Sequence, residues 1–214
     1  MIDTLLNAVR RYTETHADPA GLAQTPIPGL ATIRATSPTG LVHAISQPLV
    51  CLVLQGGKQV AMGTQVFAFA AGESLLITAD VPTVSQVTRA STAAPYLSLV
   101  LELDPTIIAD LAVQMRSGFV AESALVRIEP TDAEVADAAL RLMRLVDRPD
   151  AVPVLHALRL RELHYWLLAG RHGAAIRRLG WPEGHAQRVA RAVAVLRAEF
   201  AGPLPVGSCR VPGW

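Results

Sequence analysis

The hydrophobic period changes twice along the chain, and the two changes divide it into parts. Over residues 2–16, Ile2, Leu5, Leu6, Val9 and Tyr12 recur three or four positions apart, which predicts an amphipathic helix with a single apolar stripe. A loop holding Pro19, Pro26, Pro28 and Gly29 follows. From Leu30 to Leu103 the pattern breaks into short β-rich pieces: "LATIRAT", "LVHAIS", "PLVCLVLQ", "KQVAMG", "QVFAFA", "ESLLITA", "TVSQVTRA" and "YLSLVLEL". Turn residues separate them, as in "SPTG", "QGGK", "GTQ", "AGE", "DVP" and "STAAP". Eight strands at this close spacing predict a small barrel or jelly roll. Within it, "QGGK" reads as a hairpin turn with Gly56 or Gly57 at positive φ rather than as a phosphate loop.

After Asp104 the helical period returns. Asp104 with Pro105 supplies an N-cap and a proline at the first helical position, and Ile107, Ile108, Leu111 and Met115 form the stripe behind them. Thr131 with Glu134 reads as a capping box, followed by Val135, Ala138, Leu142 and Val146. A third helix is expected over 152–169, stopped by Gly170 and Gly173. It is apolar nearly all round at Leu155, Leu158, Leu163, Trp166 and Leu167, so it belongs inside the helical part or in a subunit interface. "RRLGWPEGH" is a linker, and a last helix over 185–200 carries Val189, Val193, Leu196 and Phe200 on one face. The fold class is therefore α+β, a jelly-roll β-barrel followed by a helical dimerisation or linker region.

Composition narrows this picture. The chain has 214 residues, 51% of them apolar, and a mean hydropathy of +0.34, enough for one well-buried core. No run approaches the roughly eighteen apolar residues of a membrane span. The N-terminus lacks the basic start and apolar core of a signal peptide, so a cytoplasmic location is expected. The net charge of +1 argues against a nucleic-acid partner for this chain. Yet every basic residue but Lys58 is arginine, and twelve of the nineteen lie between Arg141 and Arg210; a solvated helical surface explains most of that clustering, and a GC-rich genome would explain arginine over lysine. Cys51, in an apolar run, reads as a small buried hydrophobe. With only Cys209 besides, neither a disulfide nor a metal framework is expected.

Candidate chemistry is sparse. A metal in a barrel mouth needs two histidines close together on one strand, an acid a few residues on and a third histidine on a later strand. The β segment has one histidine, His43, and its acids Glu73, Asp80 and Glu102 sit at a turn or at strand ends. His156 and His164 share a helix face at two-turn spacing, too far apart for one ion, and read as partly exposed or interface residues. No nucleophile elbow, phosphate loop or dinucleotide fingerprint occurs, so no catalytic residue, metal or cofactor is expected and the chain does not read as an enzyme. The barrel interior is either filled by its own side chains or holds one small ligand. In the second case His43, Gln55, Gln86 and Tyr96 are the polar groups placed to touch it.

These residues together carry a resemblance. Leu52 to Lys58 ("LVLQGGK"), Gly63 to Gly72, Leu75 to Pro82 ("LLITADVP") and Pro95 to Asp104 ("PYLSLVLELD") resemble the N-terminal domain of AraC-type transcription regulators. "RELHYWLLAGRHG" and "QRVARAVAVLRAEFAGPL" are similar to the segments that follow, the second to the first helix of the DNA-binding domain. The resemblance runs to about Val206. It implies a cupin-like barrel that senses a small-molecule effector or dimerises, joined to a pair of helix-turn-helix motifs that set recognition helices in the major groove. The organisation it implies is 1–103 for the N-terminal helix and barrel, 104–180 for the helical linker, 181–206 for the first helix of a truncated DNA-binding domain, and 207–214 for a foreign tail.

That tail, "GSCRVPGW", departs from the family where a pattern such as E-L-A-x-x-A-G-M would stand. Suitable codons for it open a neighbouring frame reading E-L-P-G-A-G-M, so a frameshift is the expected origin, with truncation plus added residues as the alternative. The expected partners are a second copy of the chain in a homodimer, a small-molecule effector and no membrane, with DNA bound only by the full-length form. Arg188, Arg191 and Arg197 would sustain only weak, salt-sensitive DNA contact. The alternative reading is a cupin-type small-molecule-binding protein or metal-dependent enzyme.

Overall fold

A computed structural model describes residues 2–115 and 124–180. It opens with helix α1 (Ile2–His16). Ten strands follow in chain order: β1 (Leu22–Gln24), β2 (Leu30–Ala35), β3 (Val42–Ser46), β4 (Leu49–Gln55), β5 (Gly57–Met62), β6 (Gln65–Ala70), β7 (Glu73–Ile77), β8 (Val81–Arg89), β9 (Tyr96–Glu102) and β10 (Val126–Pro130). Helix α2 (Pro105–Gln114) lies between β9 and β10, and α3 (Ala133–Val146), α4 (Val152–Ala169) and the short α5 (Gly173–Arg177) complete the described chain. All strand pairs are antiparallel. One sheet has the order β1-β2-β9-β4-β7-β10 and the other β3-β8-β5-β6.

The six-stranded sheet is the middle layer, and its sequence shows why. In "LVCLVL" Val50, Leu52 and Leu54 join a core shared with the helices, whereas Cys51 and Val53 turn to the barrel interior. A strand buried on both faces reads as a continuous apolar run rather than an alternation. Strand β9 does the same, sending Leu97, Leu99 and Leu101 to the helices and Tyr96 to the barrel. On the helical side Leu5 and Val9 of α1 and Leu142, Leu163 and Leu167 of α3 and α4 belong to the same core as this face of the sheet. The four-stranded sheet turns Val60, Phe69, Val81 and Val87 inward to close the barrel.

All eight expected strands are present, and two more were not read from the sequence. The three-residue β1 pairs with β2, and β10 pairs with β7 from Val126↔Ile77 to Pro130↔Glu73. Both are short edge strands whose pairing, not their own pattern, defines them. The capping box is a second correction. The N-cap of α3 is Asp132, not Thr131, and makes no side-chain cap bond. Its carboxylate instead accepts from the backbone N–H and Nε of Arg171, each at 3.0 Å, tying α3 to the end of α4. Third, "QGGK" is no hairpin, because β4 and β5 belong to different sheets. Gly56 turns that corner at φ 83°, and a Cβ there would lie 2.4 Å from the Arg89 carbonyl oxygen. The Asp104 cap forms as expected, its Oδ1 accepting from Thr106 N–H at 2.7 Å and Ile107 N–H at 3.3 Å.

The expected helix over 185–200, the tail 207–214 with Cys209, and Arg188, Arg191 and Arg197 all lie outside the described residues.

Candidate functional site

The barrel interior is largely apolar, with one polar spot on the six-stranded sheet and a second on the four-stranded sheet, where Thr83 is buried and bonded to Ser46 at 2.7 Å. Cys51 on β4 and Tyr96 and Ser98 on β9 face inward, and the Cys51 thiol lies 3.9 Å from the Tyr96 hydroxyl. Burial pushes the Tyr96 hydroxyl well above its usual 10, the neighbouring Cys51 adds to the rise, and Ser98 opposes it. At neutral pH the Tyr96 hydroxyl therefore keeps its proton and can both donate and accept a hydrogen bond, which suits it to orienting the polar end of a ligand. Val53, Val60, Phe69 and Leu75 surround it.

The four residues expected to face a ligand do not converge on one site. Tyr96 alone is in the barrel. Gln55 faces the helices, where its side-chain oxygen accepts from Arg10 at 2.8 Å and its amide donates to the Pro95 carbonyl at 2.7 Å. Gln86 stands on the outer face of the four-stranded sheet, opposite Gln59, which donates to it at 3.0 Å, and it donates in turn to the Thr39 carbonyl at 2.9 Å. His43 lies on the same outer face, exposed, and borders a groove of about 630 Å³ with Ile45, Ala61, Pro82 and Val84.

Two buried histidines tie the helices to the sheet, joints that no local sequence pattern marks. His164, expected to be partly exposed or an interface residue, is 1% exposed. Its Nδ1–H donates to the Leu160 carbonyl at 2.8 Å, and its Nε2 accepts the Asp104 N–H at 3.0 Å. His172 meets Ser74 on β7, Nε2 to Oγ at 2.8 Å, and its Nδ1 is buried without a partner. Burial lowers the pKa of both imidazoles below the ordinary 6.5, so each is neutral at physiological pH. The Ser74–His172 pair has the atoms of a nucleophile and base, but both are buried in the joint between sheet and helices, where it serves packing. Their separation of 98 residues leaves no local sequence signal. Among the described residues no group of three or more histidine, cysteine or acidic side chains could hold a metal ion, and no helix is long and apolar enough to cross a membrane.

Helix α4 has two characters. Its C-terminal half buries Leu163, Leu167 and Leu168, whereas Val154, Leu155 and Leu158 in its N-terminal half are 71, 37 and 64% exposed. The helix is fixed to α3 by Arg141, which pairs with Asp137 on its own helix and with Glu162 on α4.

Solved structures of ToxT share this fold. An apo alanine variant of ToxT from Vibrio cholerae strain SCE256 superposes with a TM-score of 0.59 at 4% identity, covering 86% of this chain and 70% of that one. ToxT from Vibrio cholerae O395 bound to (E)-4-(8-methylnaphthalen-1-yl)but-3-enoic acid gives 0.57 at 8% identity, over 84% and 68% of the two chains. Wild-type ToxT from strain SCE256 with an unsaturated fatty acid bound gives 0.52 at 6% identity, over 84% and 65%. At such identities the likeness is one of fold. No curated protein matches the chain by sequence. The model of the AraC-type transcriptional regulator N-terminus matches residues 26–175, a span that takes in the barrel, α2, α3 and α4, and the chain belongs to that family.

Proposed function

We propose that the chain is the effector-sensing and dimerising part of an AraC-type transcription regulator, that it is not an enzyme, and that it works in the cytoplasm. The observation that carries this is the continuity of the family match through both the barrel and α4. Sensing and assembly then occupy one structural unit. ToxT has been solved with two apolar carboxylic acids. An effector of that kind, an apolar body with one polar end, suits a largely apolar barrel in which Cys51, Tyr96 and Ser98 form a polar spot on the six-stranded sheet. Of the four ligand residues expected from sequence, this reading keeps Tyr96. The exposed apolar ridge of α4 supports a homodimer, because Val154, Leu158 and Tyr165 fall on one face at heptad-like spacing. Sequence-specific DNA binding is assigned to the full-length form.

The test uses Cys51, the free buried cysteine among the described residues. A Cys209→Ser variant is titrated with an unsaturated fatty acid while its melting temperature and the labelling of Cys51 by a thiol reagent are followed. A higher Tm with slower Cys51 labelling is the expected outcome, since a ligand that binds the folded state suppresses opening of the barrel. If neither quantity moves across a panel of apolar acids and neutral apolar molecules, the effector-sensing reading fails.

A further inference from the structure

A second cleft, outside the barrel, lies between the carboxyl end of α1 and the end of β2, with a volume of about 390 Å³. Its walls carry opposite charges. Glu14 of α1 and Asp18 of the turn after it stand on one side, and Arg34 of β2 with the hydroxyls of Thr36 and Ser37 on the other. The cleft is preformed. Leu22 N–H donates to Asp18 Oδ1 and Gly21 N–H to the Asp18 carbonyl, both at 2.9 Å, and Arg34 N–H donates to the Gly21 carbonyl at 2.8 Å. The far wall is held by Thr39, whose Oγ1 accepts from Val87 N–H at 3.0 Å and whose carbonyl accepts from Gln86.

Arg34 is the unexplained group in this cleft. Its Nε is buried without a partner. Arg10, Arg141 and Arg177 also have a buried, unpartnered Nε, but each bonds through a terminal nitrogen, to Gln55, to Asp137 and Glu162, and to the Leu168 carbonyl respectively. Among the described residues the Arg34 guanidinium makes no hydrogen bond or ion pair. Glu14 and Asp18 line the same cleft and do not reach it, and Thr36 and Ser37 make no hydrogen bond there. A buried guanidinium N–H without an acceptor is costly, and a missing ligand or ion is one of the few explanations for such a group in a folded protein. The opposite wall is doubly negative, because the carboxyl end of α1 adds its dipole to the two carboxylates.

We propose that this cleft binds a small zwitterion of the α-amino-acid type, its carboxylate on Arg34 and its ammonium between Glu14 and Asp18. A planar guanidinium pairs a carboxylate through two parallel hydrogen bonds, and the Thr36 and Ser37 hydroxyls supply further donors. A simple anion would meet the two carboxylates, and a simple cation would meet Arg34. Only a molecule carrying both charges satisfies both walls.

The test is calorimetric titration of the whole 214-residue chain with each of the common L-amino acids, glycine betaine, acetate, inorganic phosphate and an N-acetyl amino acid, at low salt. At least one amino acid or the betaine is expected to bind saturably. Removing the ammonium by acetylation, or replacing Arg34 in Arg34→Gln, should weaken binding about tenfold or more. Glu14→Gln, at an exposed position, should weaken it as well. The unliganded Arg34→Gln protein should melt no lower than the wild type, since it loses an unsatisfied buried donor. A lower Tm would mark Arg34 as a structural residue and overturn the proposal. Acetate or phosphate binding as tightly as the amino acid would make the cleft a plain anion site, and no binding by any zwitterion would remove it altogether.

Discussion

The backbone N–H of Asp104 donates to His164 Nε2 at 3.0 Å across 60 residues of chain, while the Asp104 carboxylate caps α2. One residue thus joins the end of β9, the start of α2 and the C-terminal half of α4. Replacing His164 with Leu keeps the buried volume but leaves that N–H without an acceptor, which should cost about 1–3 kcal/mol of stability. His164→Gln offers a carbonyl oxygen in the acceptor's place and should lose less. Urea unfolding of the two variants decides the matter, and equal losses would mean that the Asp104 bond contributes nothing.

The same joint makes stability depend on pH. His164 and His172 are both held below their ordinary 6.5 by burial, so the unfolded chain binds protons on them before the folded chain does. Stability is therefore full above about 6.5 and falls as pH drops below it toward the lowered folded values. The carboxylate Glu162, whose pKa Arg159 and Arg141 hold down against the opposing effect of burial, loses its contribution only in a more acidic range, below 4.5. Urea midpoints should thus decline between about pH 7 and pH 5, and His172→Gln should flatten the decline. A midpoint that stays level over that interval in the wild type would show that neither imidazole is held neutral by the fold.

How much of this was readable beforehand follows from what each feature depends on. The both-faces burial of β4 and β9 is written in their own residues, so the barrel and its central sheet were legible from "LVCLVL" and "YLSLVLEL". The cap of α2 was legible because Asp104 and Pro105 act within four residues. β10 was not, since "VRIEP" becomes a strand only by pairing with β7 about fifty residues earlier. Thr131 and Glu134 fitted a capping box until Asp132, the true cap, turned to Arg171 39 residues away. Ser74 with His172 and Asp104 with His164 are joints of the same long-range kind. Arg34 left a faint trace, for Leu30, Thr32 and Arg34 alternate onto one face whose first two members are fully buried, an odd place for a charge.

Gly21 holds the cleft beside Arg34 together through backbone geometry. It sits at φ 85°, and a Cβ there would lie 1.9 Å from the Arg34 carbonyl oxygen. Gly21→Ala must both enter a left-handed conformation and push the 18–22 turn off β2, so it should lose more than the roughly 1–2 kcal/mol of the conformational term alone. Gly40→Ala, in open space without a positive φ, is the control and should be close to neutral. Thermal melts of both variants test this. Equal melting temperatures would show that the turn adapts freely and does not define the cleft.

The N-terminal half of α4 gives the assembly prediction. Val154 and Leu158 are 71 and 64% exposed on a helix whose other half is anchored in the core, so the ridge is rigid and already positioned when a second copy arrives. Ordering costs on association are then small, and apolar area converts more fully into affinity. Leu158→Glu places a charge in the centre of that ridge. Sedimentation velocity should find the wild type as a dimer and the variant as a monomer, with the monomer's fold unchanged by circular dichroism because Leu158 makes no part of the core. Hydrophobic contact through the ridge also predicts that raising the salt concentration leaves the wild-type dimer intact, whereas an interface held by ion pairs would weaken as those pairs are screened. A variant that still sediments as a dimer would place the interface elsewhere and leave the exposed leucines of α4 without a role.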